Sequence, residues 1–155
     1  MKTQYFCRYH AERMKASESE AYHCWNEMMR RGVHAYTECR MEAAHIYLGS
    51  ALDIAILRRM CEKNGIFESL HATKPADFLL QLMLIELRFN ETHYLLSRLS
   101  STTGDDESSS NAALTKFLSA QYERVEVAEK SHITRDSIRD YGQSNRQSLK
   151  RIAHH

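Results

Sequence analysis

The sequence predicts an all-α protein, a small antiparallel bundle of about four main helices. The chain of 155 residues contains only 1 proline and 5 glycines, so helix breakers and tight turns are scarce. Apolar residues recur at helical spacing along most of the chain. A hydrophobic content of 43% with 26% charged residues suits a globular domain with a core of its own.

We expect one helical domain over residues 1–130 and a flexible or partly helical tail over 131–155. The apolar residues thin out in the tail, where residues 135–151 carry five Lys/Arg against two Asp. A short basic tail can touch nucleic acid, but it is more often simply solvated. The net charge of +1 gives the chain no overall attraction to nucleic acid or anionic lipid, so a nucleic-acid partner is not expected.

Neither the first residues nor the longest apolar run predicts a membrane or secretory protein. The first residues, MKTQYFCRYHAERM, lack the apolar region of a secretory signal. The longest apolar run, residues 78–89, is interrupted by Gln81, Glu86 and Arg88 and is too short to span a bilayer. We therefore expect a cytoplasmic protein with no membrane partner, whose cysteines are reduced thiols used as small core residues.

The first two helices are predicted from a start signal and from glycine. Ser17 and Glu20 have the spacing of a capping box, which predicts a helix from about Glu18 that stops at Gly32. The preceding residues 7–14 form either a separate short helix or the first part of the same one. A second helix is expected over residues 36–63.

The third helix is predicted to open at Thr73 and Pro75 and to run through Phe89. It is apolar on two sides, which is typical of a central bundle helix or a dimer interface. The two sides consist of Phe78, Ile85 and Phe89 on one and Leu80, Leu84 and Leu87 on the other. A polar loop over residues 101–111 precedes a fourth helix over residues 112–130.

Small residues crowd the second helix at Ala44, Gly49, Ser50 and Ala51. So little side chain separates the backbones there that a neighbouring helix can approach closely. This pattern is expected of any close-packed antiparallel helix pair.

The spacing Ala44-x3-Leu48-x2-Ala51 also resembles the second helix of a tetratricopeptide repeat, with Trp25 and Gly32 similar to the family's upstream aromatic and glycine positions. The resemblance covers residues 18–55 and does not recur at the family period of about 34 residues. It predicts one tetratricopeptide-like hairpin inside a bundle, and it implies a peptide or helix partner bound along the first helix.

Tyr22, Asn26 and Met29 lie beside the core stripe of that first helix at i, i+4 and i+7. An amide between two adaptable apolar groups suits peptide recognition, although the same residues also fit a boundary between core and surface. We expect a helical protein–protein interaction module, an adaptor or regulator that binds a peptide, a helix or a second copy of itself as a homodimer.

A metal-binding bundle is the alternative. Glu20/His23 and Glu42/His45 have the Glu-x-x-His spacing that places a carboxylate and an imidazole on one face of a helix, and Glu86 could add a third ligand. The order of these groups differs from that of di-iron bundles, where each such pair follows a helix with a lone Glu. No metal or other cofactor is therefore part of the main prediction.

Motifs for catalysis are not found in the sequence. The glycines are isolated, so there is no phosphate-binding loop, and no G-x-S-x-G is present. The sequence predicts no catalytic residue and favours a binding protein over an enzyme.

Overall fold

Helices make up all the regular secondary structure of the computed structural model, which describes the backbone of residues 8–61, 65–103 and 109–152 and, within these, side chains up to residue 136 except 109 and 110. The helices in these ranges are α1 Arg8–Ala16, α2 Glu18–Thr37, α3 Met41–Cys61, α4 Ser69–Ile85, α5 Phe89–Ser100 and α6 Ser109–Ile152. The predicted all-α bundle is confirmed, with six helices in the described ranges where about four were expected.

Ser17 separates α1 from α2. Its backbone is extended, and its side-chain oxygen accepts a hydrogen bond of 3.2 Å from the backbone N–H of Glu20. This cap satisfies a donor that the first turn of α2 would otherwise leave unpaired, so the predicted start at Glu18 is confirmed. The buried Arg58 of α3 donates to the carbonyl of Lys15 at 2.8 Å and fixes the end of α1 against the bundle.

The sequence predicted that the first long helix stops at Gly32, but α2 continues to Thr37. Gly32 is instead buried where α2 and α3 meet. A Cβ at this position would lie 2.7 Å from Cγ of Leu48 and 3.2 Å from its backbone nitrogen. The glycine is therefore required by the close approach of the two helices rather than by a turn.

The small residues of α3 are buried, as their spacing predicted. Ala44, Leu48 and Ala51 have no exposed surface, and Gly49 and Ser50 are also buried. α3 packs most extensively on α2 and next most extensively on α4. It is the central helix of the bundle, with twelve of its 21 residues buried.

The third predicted helix begins earlier than expected, at Ser69 rather than Thr73. Pro75 consequently lies inside α4, where it lacks the N–H that would bond the carbonyl of His71 four residues before it. The indole Nε1–H of Trp25 donates to that carbonyl at 3.0 Å. A side chain from α2 thus supplies the hydrogen bond that the proline removes.

The same predicted helix is also interrupted, because α4 ends at Ile85 and α5 begins at Phe89. Leu87 takes the left-handed conformation, with φ of 57°. The backbone N–H of Arg88 then bonds the carbonyl of Met83 at 2.8 Å, which closes the end of α4. The apolar run 78–89 therefore forms the end of α4 and the turn into α5 instead of one continuous helix.

The last helix, α6, runs from Ser109 to Ile152, beyond the predicted range 112–130. The backbone of the predicted tail is therefore helical from residue 131 to 152. The predicted loop 101–111 is described only at its two ends, and Cys7 and Asn64 also lie outside the described residues.

One contiguous core takes side chains from all six helices, from Met14 in α1 to Val125 in α6. Cys39 and Cys61 are exposed and Cys24 is half-buried, so the expectation of core cysteines is wrong for the first two. Among the described residues, no helix combines the length and apolar character needed to cross a bilayer.

Candidate functional site

The predicted binding residues of α2 lie at the edge of the core. The side chain of Tyr22 is 38% exposed, and Asn26 is exposed beside it on the helix. Met29 is half-buried and packs against the core. Two of the three residues are therefore available to a partner, and Met29 contributes mainly to internal packing.

An aromatic cluster joins this part of α2 to the start of α4. Tyr22 stacks on Trp25 with ring centroids 6.3 Å apart, and its ring contacts Phe67 at 6.1 Å and His71 at 5.7 Å. Trp25 and His71 are closer still, at 4.8 Å. These rings, with the Trp25 hydrogen bond to the His71 carbonyl, hold the two helices in a fixed arrangement.

Burial lowers the pKa of His71 below its ordinary value, although the nearby carboxylate of Glu68 opposes the shift. The backbone N–H of Glu68 also donates to Nδ1 of His71 at 3.1 Å, which requires that nitrogen to be unprotonated. His71 is therefore a neutral helix-capping group near pH 7 and not a charged binding residue.

Two exposed apolar side chains flank this cluster. Ile66 is 47% exposed and Leu70 is 50% exposed, and each adjoins in sequence a residue whose ring contacts Tyr22. We call Tyr22, Asn26, Ile66 and Leu70 the α2–α4 surface. The sequence indicated only its α2 half, because Ile66 and Leu70 lie ahead of the predicted helix start at Thr73.

The structure brings together two of the five residues named for a metal site. Nε2 of the buried His45 lies 3.1 Å from a carboxylate oxygen of Glu86. Glu20 instead forms an ion pair with Arg13, and His23 and Glu42 are exposed. Within the residues that the structure describes, no group of three or more His, Cys, Asp or Glu side chains could hold a metal ion.

A guanidinium lies where a metal ion would have to bind between His45 and Glu86. Nη1 of Arg88 is 3.0 Å from the Glu86 carboxylate and 3.2 Å from Nε2 of His45, and Nε of Arg88 donates to Glu91 at 2.8 Å. Partial burial alone would raise the pKa of Glu86, but the hydrogen bonds from Arg88 and His45 outweigh it and lower that pKa. We call these four residues the Arg88 network.

A small cleft lies between α1, α3 and α5 and was not predicted from the sequence. Its volume is about 230 Å³, and its polar wall contains Asp53 of α3 and Arg98 of α5. The two side chains form an ion pair with 2.5 Å between Nη2 and Oδ1. Nothing in the sequence relates two charged residues 45 positions apart, so this pair is visible only in the fold.

A second feature missed from the sequence is a similarity between ECRMEAAHIYLG (38–49) and ELRFNETHYLLS (86–97). The identical pairs are Glu38/Glu86, Arg40/Arg88, His45/His93 and Leu48/Leu96. Each member lies 48 residues from its counterpart, so a search at the tetratricopeptide period does not find it. The two segments form the turn and the first part of the second helix in the α2–α3 and α4–α5 hairpins.

Comparison with known proteins adds no relative to this picture. No protein-family model matches the chain, and neither the curated proteins nor the solved structures give a match.

Proposed function

We propose that this protein is a helical interaction module that docks a short peptide segment with one apolar anchor on the α2–α4 surface. The observation that carries the proposal is the set of exposed apolar side chains, Tyr22, Ile66 and Leu70, next to the buried rings of Trp25 and Phe67. Asn26 adds an amide that can bond a peptide backbone. An apolar patch with a polar neighbour is typical of a peptide-binding site.

Two hydrogen bonds hold the backbone of this surface in place before a partner arrives. Trp25 ties α2 to α4 through its hydrogen bond, and the backbone N–H of Ile66 donates to the Glu18 carboxylate at 2.6 Å. Ordering such a surface costs little on binding, so more of the contact energy is available for affinity.

The repeated hairpin supports the same function. Proteins built from stacked helical hairpins present extended surfaces for partners, and here two hairpins with similar turn sequences follow one another. The tetratricopeptide resemblance implies a partner along the first helix of a hairpin. α2 and α4 are the first helices of the two hairpins, and both contribute to the α2–α4 surface.

We favour a peptide over a second copy of the chain as the occupant. A stable interface between folded partners buries about 800 Å² on each side. The α2–α4 surface offers three apolar side chains, each no more than half exposed. That area suits one anchor residue and a few flanking contacts. A cytoplasmic location belongs to this proposal, because the free thiols of Cys39 and Cys61 are exposed and would stay reduced there.

A displayed library of random short peptides, selected against the unaltered chain, tests the proposal. The selected peptides should share one aromatic or aliphatic anchor and lose affinity by about tenfold or more for Leu70→Ser. Val127→Ser is the matched control, since Val127 is 59% exposed on α6, and it should bind the peptides like the unaltered chain. Failure to enrich any peptide, or equal affinity for both variants, would contradict the proposal.

Sedimentation of the same proteins tests the competing occupant. We expect the unaltered chain to remain monomeric at micromolar concentration. A dimer that Leu70→Ser weakens and Val127→Ser leaves intact would overturn the peptide proposal and make a second copy the occupant.

A further inference from the structure

The cleft between α1, α3 and α5 combines an apolar wall with one oriented charge. Ile56, Leu57 and Met60 of α3 and Ala11 of α1 form the apolar part. Its volume of about 230 Å³ exceeds the roughly 150 Å³ of a leucine-lined cavity that takes up benzene. A compound with a single ring or a short branched chain therefore fits.

The ion pair fixes which charge faces a ligand. Asp53 is only 4% exposed, whereas the side chain of its partner Arg98 is 22% exposed. The carboxylate lies on the buried side and holds the guanidinium in place, while the guanidinium is the more accessible of the two groups. Arg98 has five N–H donors in a planar fork, which match a second carboxylate better than a lysine would.

The position of the pair argues against a purely structural role. A buried ion pair generally stabilises a protein no more than apolar residues of the same volume would. Here the pair lines a cleft whose other lining residues are apolar except for Ser101, so the guanidinium would be the charged anchor of a bound molecule.

We propose that this cleft binds a small carboxylic acid with an apolar body, of about the size of benzoate. The carboxylate accepts hydrogen bonds from Arg98, and the apolar body lies against Leu57 and Met60. This site involves other helices than the α2–α4 surface and is independent of peptide docking there.

Titration of the full chain with benzoate and with its neutral analogue benzamide tests the proposal, using the methionine methyl signals in NMR. The methyl signal of Met60 should shift and saturate with benzoate at about 10 mM or below. Met29 and Met41 do not line the cleft and serve as internal controls. Benzamide should bind about tenfold more weakly because it lacks the charge that pairs with Arg98.

Arg98→Gln should weaken benzoate binding by about tenfold. Arg40 is an exposed arginine that does not line the cleft, so Arg40→Gln should leave benzoate binding unchanged. If Arg98→Gln does not fold, the comparison of benzoate with benzamide on the unaltered chain decides alone. Absence of a saturable Met60 shift, or equal affinity for the acid and the amide, would overturn the proposal.

Discussion

The turns that close the two helical hairpins have the same backbone but different side-chain partners. At the α2–α3 turn, Cys39 has φ of 56° and the N–H of Arg40 bonds the Ala35 carbonyl at 2.9 Å. At the α4–α5 turn, Leu87 has φ of 57° and the N–H of Arg88 makes the equivalent bond. In both turns the arginine side chain pairs with the glutamate two residues before it.

The difference lies in what each arginine reaches next. The ion pair of Arg40 with Glu38 is exposed, whereas Arg88 also pairs with Glu91, and its partner Glu86 accepts a hydrogen bond from His45 of α3. The second turn is thereby connected to the central helix of the first hairpin. The α2–α3 turn has the same backbone without such a network. The network therefore joins the hairpins and is not needed to form the turn.

The interiors of the two hairpins differ as well. Gly32 of the first hairpin allows close contact with Leu48. The positions 48 residues later are Leu80 and Leu96, both fully buried. The first hairpin therefore closes by backbone approach, and the second fills the same positions with side chains.

Replacing the side chain that links the hairpins should have the largest effect. Trp25→Ala should lower the free energy of unfolding by about 3–5 kcal/mol in urea, because it leaves a cavity and removes the bond to the His71 carbonyl. Thr73, the position 48 residues later, is only half-buried. Thr73→Ala should change stability by no more than about 0.5 kcal/mol, and equal losses at both positions would contradict a linking role for Trp25.

A double-mutant cycle isolates the hydrogen bond. In the unaltered chain, Trp25→Phe leaves the His71 carbonyl unpaired at a cost of about 1–3 kcal/mol. Pro75→Ala supplies the missing N–H from within α4, so Trp25→Phe should cost less in that background. The same cost in both backgrounds would show that the carbonyl does not depend on the indole.

Gly32→Ala should destabilise the first hairpin by a smaller amount. The new Cβ would overlap Leu48, whose side chain is fully buried and cannot move freely. The higher helix propensity of alanine offsets part of this cost, so the net loss in the free energy of unfolding should be about 1–2 kcal/mol. Thermal or urea unfolding of Gly32→Ala in the Leu48→Ala background should show a smaller further loss, because Cγ and Cδ2 of Leu48 are gone and the 3.2 Å approach to the backbone nitrogen remains.

The Arg88 network should make the free energy of unfolding depend on pH in acid. Partial burial opposes ionisation of Glu86, but bonds from Arg88 and His45 outweigh it, so its pKa is lower in the folded state than the ordinary 4.5. Glu86 therefore adds stability above about pH 4.5, and this is lost as the pH falls through the lowered value. Arg88→Gln should cost about 0.5–1 kcal/mol at pH 7 and make acid unfolding less steep.

Arg40→Gln is the control for this experiment, since its ion pair with Glu38 is exposed. Its urea-unfolding curves at pH 7 and in acid should differ from those of the unaltered chain by less than about 0.5 kcal/mol. Equal effects at Arg40 and Arg88 would show that the network adds nothing beyond the turn.

Local signals explain what could be predicted from the sequence. The cap at Ser17 depends on an N–H three residues away, and the burial of Ala44 and Ala51 follows from helical spacing. The position of Pro75 inside α4 could not be predicted, because the compensating donor is Trp25, 50 residues earlier. The left-handed Leu87 was missed for a similar reason, since no glycine marks that turn.

The candidate sites follow the same rule. Tyr22 and Asn26 could be identified as a face of one helix, but Ile66 and Leu70 join them only through the packing of α4 on the bundle. Asp53 lies within an apolar run of α3, and its partner Arg98 lies on α5. Side chains that come together from different helices carry no mark in a single sequence.

The smallest expected effect concerns the backbone that both turns share. Left-handed φ values cost a residue with a side chain about 1–2 kcal/mol relative to glycine. Glycine also increases the conformational entropy of the unfolded chain, which offsets much of this advantage. Cys39→Gly and Leu87→Gly should therefore each raise the free energy of unfolding in urea by about 0.5 kcal/mol. Both side chains are exposed, and little packing is lost. A gain at Cys39 with a loss at Leu87 would show that the second turn depends on its side chain, and that the two turns differ in more than the Arg88 network.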